Sequence, residues 1–303
     1  MARWIKLGRV YDPVPKGPLL ASHAANPLPV HLGGDVFRVF YSGRDGRNRS
    51  SVGAVDIDIP RGQVVRDHPQ VQFAHGGPET CYPDGIGIGC QYRAGGRHWM
   101  LFMGWQAPAD AHWRGDIGRL QVGPDLLLHP AGAGPFLGAQ PPVDAVSLSY
   151  PWVLRHRGVW HMWYGSTVTW DAGNGEMLHV INHATSEDGE VWQRHGQAVP
   201  HALGVAQAFS RPTVVAQGEG LAMWFSYRSG TGQTYRIGHA TSADGASWSL
   251  ALDRAGIDVA SDGWDSAMIC YPAVFDHGGR RWMLYNGNGY GASGFGLAVL
   301  DDG

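Results

Sequence analysis

Three aspartates in turn-like settings are the candidates for acid–base chemistry: Asp45 in SGRDGRN, Asp84 in YPDGIG and Asp265 in GWDSAM. Carboxylates gathered in one site can divide the roles of acid and of base or nucleophile when their surroundings separate their pKa values. Each also has a plainer explanation. Arg44, Arg47 and Arg49 flank Asp45 and would hold it ionised in ion pairs. A turn Asp before Gly accounts for Asp84, and Asp265 suits a loop cap as well as a rim carboxylate. The second set is basic: Arg44, Arg49, Arg211, Arg228 and Arg236. Guanidinium groups in a pocket suit a carboxylate or phosphate on the ligand. Solvated surface is the bland alternative, but Arg211 stands directly before the apolar run PTVV. Trp105, Trp170, Tyr150, Tyr227 and Tyr271 offer flat faces to a ligand ring, although packing explains each one singly. His23, His179, Asn26, Asn286 and Asn288 complete the candidate binding residues, and Tyr235 occupies the place in its repeat that His179 occupies in another.

These residues recur at one period. The stretch CYPAVFDHGGRRWMLYNGNGYGASGFGLAVL reads as three short antiparallel strands with tight turns. Its markers, Tyr271-Pro272, Tyr285 and Phe295-Gly296, are matched in order by Arg211-Pro212, Phe225 and Ile237-Gly238. Tyr150-Pro151, Tyr164 and Ile181-Asn182 give a third copy, and Asn26-Pro27, Tyr41 and Val52-Gly53 a fourth. Gly89-Cys90, Met103 and Ile117-Gly118 form a weaker fifth. Positions 27, 90, 151, 212 and 272 lie 63, 61, 61 and 60 residues apart, which marks a repeat architecture.

A repeat of about 60 residues holds four short strands, the content of one propeller blade. The expected fold is therefore all-β: a single five-bladed β-propeller over residues 1–303, with four-stranded blades. An N-terminal strand in WIKLGRVYDP closes the last blade. Residues Asn26, Gly89, Tyr150, Arg211 and Tyr271, at equivalent points, would converge on one axial pocket. None is aliphatic, which favours a binding pocket over structural filler. The turn-rich insertions PADAHWRG (108–115) and TWDAGNGE (169–176) are loops of the kind that carry specificity. SEDGEVW and SADGASW, in matching places of repeats three and four, read as structural turns with a packing Trp.

Composition agrees. Forty-five Gly, thirteen Trp and only 16% charged residues suit many short strands and turns. A formal charge of −3 gives no reason to expect nucleic acid or an anionic membrane as partner. MARWIKLGRV holds no long apolar run, so neither a signal peptide nor a membrane span is expected. Cys81, Cys90 and Cys270 lack metal-ligand spacing and read as buried thiols of a reducing, cytoplasmic compartment. Fifteen His show no HExxH spacing. The partner expected is a small molecule or sugar; the oligomeric state is left open.

The paired SxDGxxW motifs, the X-Pro anchors and the MWY or MLY strands resemble the five-bladed propeller glycoside hydrolases. That superfamily takes in arabinanase/xylosidase, invertase/levansucrase and mannoside-phosphorylase groups. SHAANPLPV, FYSGRDGRNRSSVG, GWDSAMICYP and YNGNGYGASGFGLAVL resemble one branch of it, associated with bacterial glycan or specialised-metabolite pathways. The likeness covers nearly the whole chain. It implies two carboxylates flanking a glycosidic bond, no cofactor, and in some relatives a cation such as calcium in the axial channel. The chain departs from the pattern twice. The usual Asp-Pro of blade one is Asn26-Pro27, and an amide cannot serve as a base. The branch motif implies Glu, the natural general acid, where Ala267 stands. Three function classes follow: a glycoside-active enzyme, hydrolase or phosphorylase-like, on a small anionic or modified sugar; a propeller enzyme repurposed for a non-hydrolytic biosynthetic step; and a carbohydrate-binding protein with degenerate chemistry.

Overall fold

The computed structural model describes residues 3–132, 134–230, 232 and 234–301. Its strands are β1 (Arg3–Tyr11) and then five consecutive groups. The first is β2 (Ser22–Gly33), β3 (Val36–Arg44), β4 (Ser50–Asp58) and β5 (Gln63–Phe73). The second is β6 (Gly85–Ala94), β7 (Arg97–Gln106), β8 (Arg114–Val122) and β9 (Leu128–Pro130). The third is β10 (Ser147–His156), β11 (Val159–Thr169), β12 (Leu178–Ser186) and β13 (Gln193–Gln197). The fourth is β14 (Ala208–Gln217), β15 (Gly220–Arg228), β16 (Arg236–Ser242) and β17 (Ser249–Leu250). The fifth is β18 (Cys270–His277), β19 (Arg280–Asn286) and β20 (Phe295–Asp301), and β1 pairs antiparallel with β20 as its outer strand. The expected closure of the last blade by the N-terminal strand is thus observed.

Within each group the strands pair antiparallel in chain order. Groups one and two, and three and four, touch through single parallel bridges, Ser50 to Gly85 and His179 to Ala208. Five apolar clusters then join the groups in a ring. They pair one with two, two with three, three with four, four with five, and five with one. Strand alternation explains how one blade serves two neighbours. On β3, Phe37, Val39 and Tyr41 face blade five, whereas Phe40 faces blade two. No helix among the described residues is long and apolar enough to cross a membrane.

The sequence anchors are the points where every inner strand bulges. Tyr150 and Pro151 together oppose Tyr164, Arg211 and Pro212 oppose Phe225, Tyr271 and Pro272 oppose Tyr285, and Asn26 and Pro27 oppose Tyr41. In β6 a single extra residue, Gly89, makes the bulge. Proline fits there because a bulge does not need its missing N–H. The four residues before those prolines hold left-handed φ values: Asn26 55°, Tyr150 29°, Arg211 48° and Tyr271 54°. Such strain in non-glycine residues costs on the order of 1–3 kcal/mol each and persists only where surroundings enforce it.

The third-strand glycines have an equally physical reason. A Cβ on Gly53 would lie 2.4 Å from the Tyr41 ring, and one on Gly118 2.1 Å from the Phe102 ring. The second-strand aromatic lies flat over that spot. The two SxDGxxW motifs are turn staples, as expected. Ser186 and Asp188 accept the backbone N–H groups of Gly189, Glu190 and Val191, and Ser242 and Asp244 do the same one blade on. Trp248 packs edge-on against Trp163, ring centroids 5.7 Å apart. All three cysteines are buried and free. Burial pushes the thiol of Cys81 up to about 11 and that of Cys90 up to about 12, leaving them inert.

Candidate active site

The bulged inner strands surround a cavity of about 320 Å³ to which all five blades contribute. Asn26 comes from blade one, Gly87 and Met103 from blade two, Ser149 and Tyr150 from blade three, Ser210 and Arg228 from blade four, and Tyr271 from blade five. Of the residues expected there, Asn26, Arg44, Trp105, Tyr150, His179, Arg228 and Tyr271 line it. Tyr235, matched to His179 by the repeat, lines it as well.

Arg211 requires a correction. It is not a lining residue but a strut across the propeller axis. Its Nη1 donates to the carbonyls of Tyr271 (2.7 Å) and Pro272 (3.1 Å), its Nη2 to Pro27 (2.8 Å) and its Nε to Ile88 (3.2 Å). The bulges turn those carbonyls inward, and the planar guanidinium gathers them from blades one, two and five. Burial lowers its pKa to about 10, so it stays charged at neutral pH with no carboxylate among its partners.

The expected acids are also committed elsewhere. Asp45 accepts the backbone N–H groups of Arg47 and Arg49 and the Arg49 Nε at 2.9 Å, tying down the β3–β4 turn and engaging Arg49 with it. Burial works against its ionisation, but these donors outweigh it and hold the carboxyl below the usual range. Asp84 Oδ2 accepts the Ala107 N–H at 2.8 Å. Asp265 Oδ2 accepts from Lys6 Nζ (2.7 Å) and the Tyr285 hydroxyl (3.0 Å), fastening β1 to blade five. None of the three lines the cavity. Ala267 is exposed; its N–H donates to Asn288 Oδ1, and its carbonyl accepts from Arg236.

The remaining expectations divide the same way. Asn288 Oδ1 also caps Met268, and Asn286 is fully buried, accepting the Asn26 N–H and donating to Ala24 and Gly294. Both asparagines are staples rather than ligand groups. Tyr227 packs against the apolar cluster between blades three and four. Trp170 stands behind the lining residue Trp113, ring centroids 4.7 Å apart. His23 pairs with Ser22, and burial together with nearby Arg44 depresses its pKa to about 4. Trp113, Met177, Tyr290 and the serines Ser42, Ser50, Ser149 and Ser210 line the cavity without having been singled out. Trp113 lies in the first turn-rich insertion, and Met177 follows the second.

Phenols dominate the cavity. The Tyr150 and Tyr271 rings lie 5.4 Å apart, Tyr235 is 6.2 Å from Tyr271, and Tyr290 is 6.0 Å from Tyr235. Burial raises the pKa values of Tyr150, Tyr235 and Tyr271, so all three are hydrogen-bonding phenols at neutral pH. His179 is neutral: burial and then Arg228 push its pKa down to about 3, while Ser149 and Thr167 each bond one ring nitrogen at 2.7 Å. Arg228 lies 4.8 Å from the Tyr235 ring centroid and pairs with Glu176 at 2.9 Å. Arg44 has no acidic partner among the described residues and donates only to Asn48 Oδ1. Asn26 Nδ2 is buried without a hydrogen-bond partner.

Among the described residues no Asp or Glu lines the cavity. A calcium ion asks for several oxygen ligands, carboxylates above all. The cavity instead presents guanidinium groups, so an axial cation does not fit it. Among the described residues no cluster of three or more His, Cys, Asp or Glu is placed to hold a metal.

Solved structures share this architecture. One described as a glycoside hydrolase superposes with a TM-score of 0.76 at 14% identity, covering 97% of this chain and 90% of that one. Another comes from work on the GH130 family of mannoside phosphorylases, described as containing glycoside hydrolases that target β-1,2 mannosidic linkages in Candida mannan. It superposes with a TM-score of 0.72 at 12% identity, over 98% and 93% of the two chains. The chain shares the propeller fold of these solved structures. No protein-family profile matches the chain. Two Mycobacterium tuberculosis proteins, Rv1502 of strain H37Rv and MT1551 of strain CDC 1551, are each 41% identical to it over 308 residues, spanning 99% of both partners. The chain belongs to the family of these mycobacterial proteins.

Proposed function

We propose that this protein is a glycoside-active enzyme whose substrate, one or two sugar rings bearing an anionic group, binds in the axial cavity. The observation that carries this reading is the charge inventory. Arg44 lines the cavity and Arg211 stands at the axis, both without an acidic partner, and no carboxylate lines the walls. Arg211 is already satisfied by four backbone carbonyls and adds only positive potential. Half-buried Arg44 has a single amide partner and is the guanidinium left to meet a carboxylate or phosphate on the ligand. Trp105 and Trp113 add flat faces, and the serines and Asn26 add hydroxyl and amide partners for a polyol. A volume of about 320 Å³ is at the small end for ligand pockets. The likeness of fold to glycoside hydrolases and mannoside phosphorylases supports a glycoside as the ligand class, a small molecule held by a single domain.

The missing carboxylates favour a second reading, a carbohydrate-binding protein that has lost its chemistry. Titration calorimetry with uronic-acid glycosides, sugar phosphates and their neutral counterparts tests the first proposal. Binding is expected for one anionic class only, and Arg44→Gln should weaken it about tenfold or more. Equal binding of neutral and charged sugars would overturn the anionic reading. Binding with no turnover on any of them would favour the second.

A further inference from the structure

The cavity offers phenols, hydroxyls, a neutral imidazole and guanidinium groups, but no carboxylate. We propose that Tyr150 is the catalytic acid–base of a β-elimination on a uronic-acid glycoside, with Arg44 and Asn26 receiving the substrate's carboxylate. This inference rests on the anionic-glycoside reading above and names both its substrate class and its reaction.

The chemistry needs little of what the cavity lacks. In a uronate substituted at C4, the hydrogen on C5 is α to the carboxylate, and neutralising that carboxylate makes the hydrogen acidic. The Tyr150 phenolate takes the C5 proton. The C5–H electron pair becomes the C4–C5 double bond, and the C4–O bond breaks with its pair on the leaving oxygen. The Tyr150 phenol then protonates that oxygen and is again a phenolate. Substrate divides into two products, and no water, phosphate or redox partner is consumed. Two-carboxylate hydrolysis, by contrast, requires a pair of acids that these walls do not provide.

Position singles out Tyr150 among the phenols. Its ring rests on the Gly87 backbone, where a Cβ would come within 2.5 Å of it, so the ring is fixed from blade two. The groups facing it are Arg44 at the end of β3, Arg211 on β14, Tyr271 and Cys270 on β18, and Tyr235 just before β16. Burial keeps Cys270, Tyr235 and Tyr271 neutral, so the net charge around Tyr150 is positive. Burial is the larger influence on Tyr150 and holds it as a phenol. Tyr271, Arg44 and Arg211 favour its phenolate. For carboxylate capture, Arg44 has no competing acid among the described residues, and the Asn26 amide nitrogen is an unused buried donor.

The test incubates the protein with oligogalacturonate, alginate and glucuronan oligomers. It follows the ultraviolet absorbance of the conjugated unsaturated acid, with mass spectrometry of the products. Elimination gives an unsaturated fragment one water lighter than the hydrolysis fragment. On the oligomer it binds, the wild-type protein is expected to form that fragment, with a rate that climbs toward alkaline pH as Tyr150 ionises. Tyr150→Phe should lower turnover by about 10²–10⁴-fold while calorimetric binding of the same oligomer is retained. A saturated hydrolysis product, or uronate binding with no unsaturated product, overturns the elimination and leaves the anionic-glycoside reading standing. Failure to bind any anionic glycoside overturns both. The wild-type product alone decides the reaction, whether or not the Phe variant folds.

Discussion

Replacing Arg211 by Met removes the strut and isolates its physical role. The guanidinium makes four charge-assisted bonds, at 2.7, 2.8, 3.1 and 3.2 Å, to carbonyls of blades one, two and five. At about 1.5 kcal/mol each, the gross loss is about 6 kcal/mol. Part is returned, because a cation no longer has to be desolvated and water can reach some of the carbonyls. With four buried carbonyls left short of a donor, at about 1–3 kcal/mol for each one that water does not reach, the net loss is about 3–5 kcal/mol. For a chain of this size, at about 2.1 cal/mol/K of unfolding entropy per residue, that corresponds to a fall in Tm of roughly 5–8 °C. Arg211→Lys keeps the charge but offers three donors without the planar fork, so it should lose about half as much. Differential scanning calorimetry of the three proteins, beside calorimetric binding of an anionic glycoside, checks the account. A Met variant that melts with the wild type but no longer binds ligand would refute it, making Arg211 the ligand group that the sequence suggests.

Two further outcomes follow. Asp45 has a depressed pKa in the folded state, so it contributes stability above its unfolded value of about 4 and loses it as pH falls through the folded value. Asp45→Asn should therefore melt below the wild type at pH 7, with the gap closing in acid; a gap constant from pH 7 to pH 3 would contradict this. Ala267→Glu places its carboxylate from an exposed rim position whose carbonyl already meets Arg236. Turnover of uronate and aryl glycosides should change by less than about threefold, whereas a gain of about 10²–10⁴-fold would identify position 267 as the site of a missing general acid.

The architecture was legible because its physical causes repeat. The X-Pro anchors mark bulges, the second-strand aromatics at Tyr41, Tyr164, Phe225 and Tyr285 oppose them, and Gly53 or Gly238 yields to the ring above it. Each cause acts within one blade, so sixty residues of sequence contain it. The site was only partly legible because its decisive contacts join distant blades. Asp265 meets Lys6 259 positions away, and Arg211 meets the Pro27 carbonyl 184 positions away. Residue type alone could not separate Arg44, which is left to face the cavity, from Arg211, which the bulged carbonyls consume. Asp45 is claimed for a different reason: a short turn brings the backbone N–H groups of Arg47 and Arg49 onto its carboxylate, a local fold that residue type does not reveal. The aromatic lining was half visible, since the insertion carrying Trp113 was marked as a specificity loop, whereas nothing local distinguished Tyr290 from a turn residue.

A crystal structure with a 4-O-substituted uronate disaccharide soaked into the protein tests the central claim most directly. The account predicts the sugar in the axial cavity, its carboxylate within hydrogen-bond distance of Arg44 and Asn26, and C5 facing the Tyr150 hydroxyl. A carboxylate turned to solvent, or a sugar bound anywhere but the axis, would contradict it.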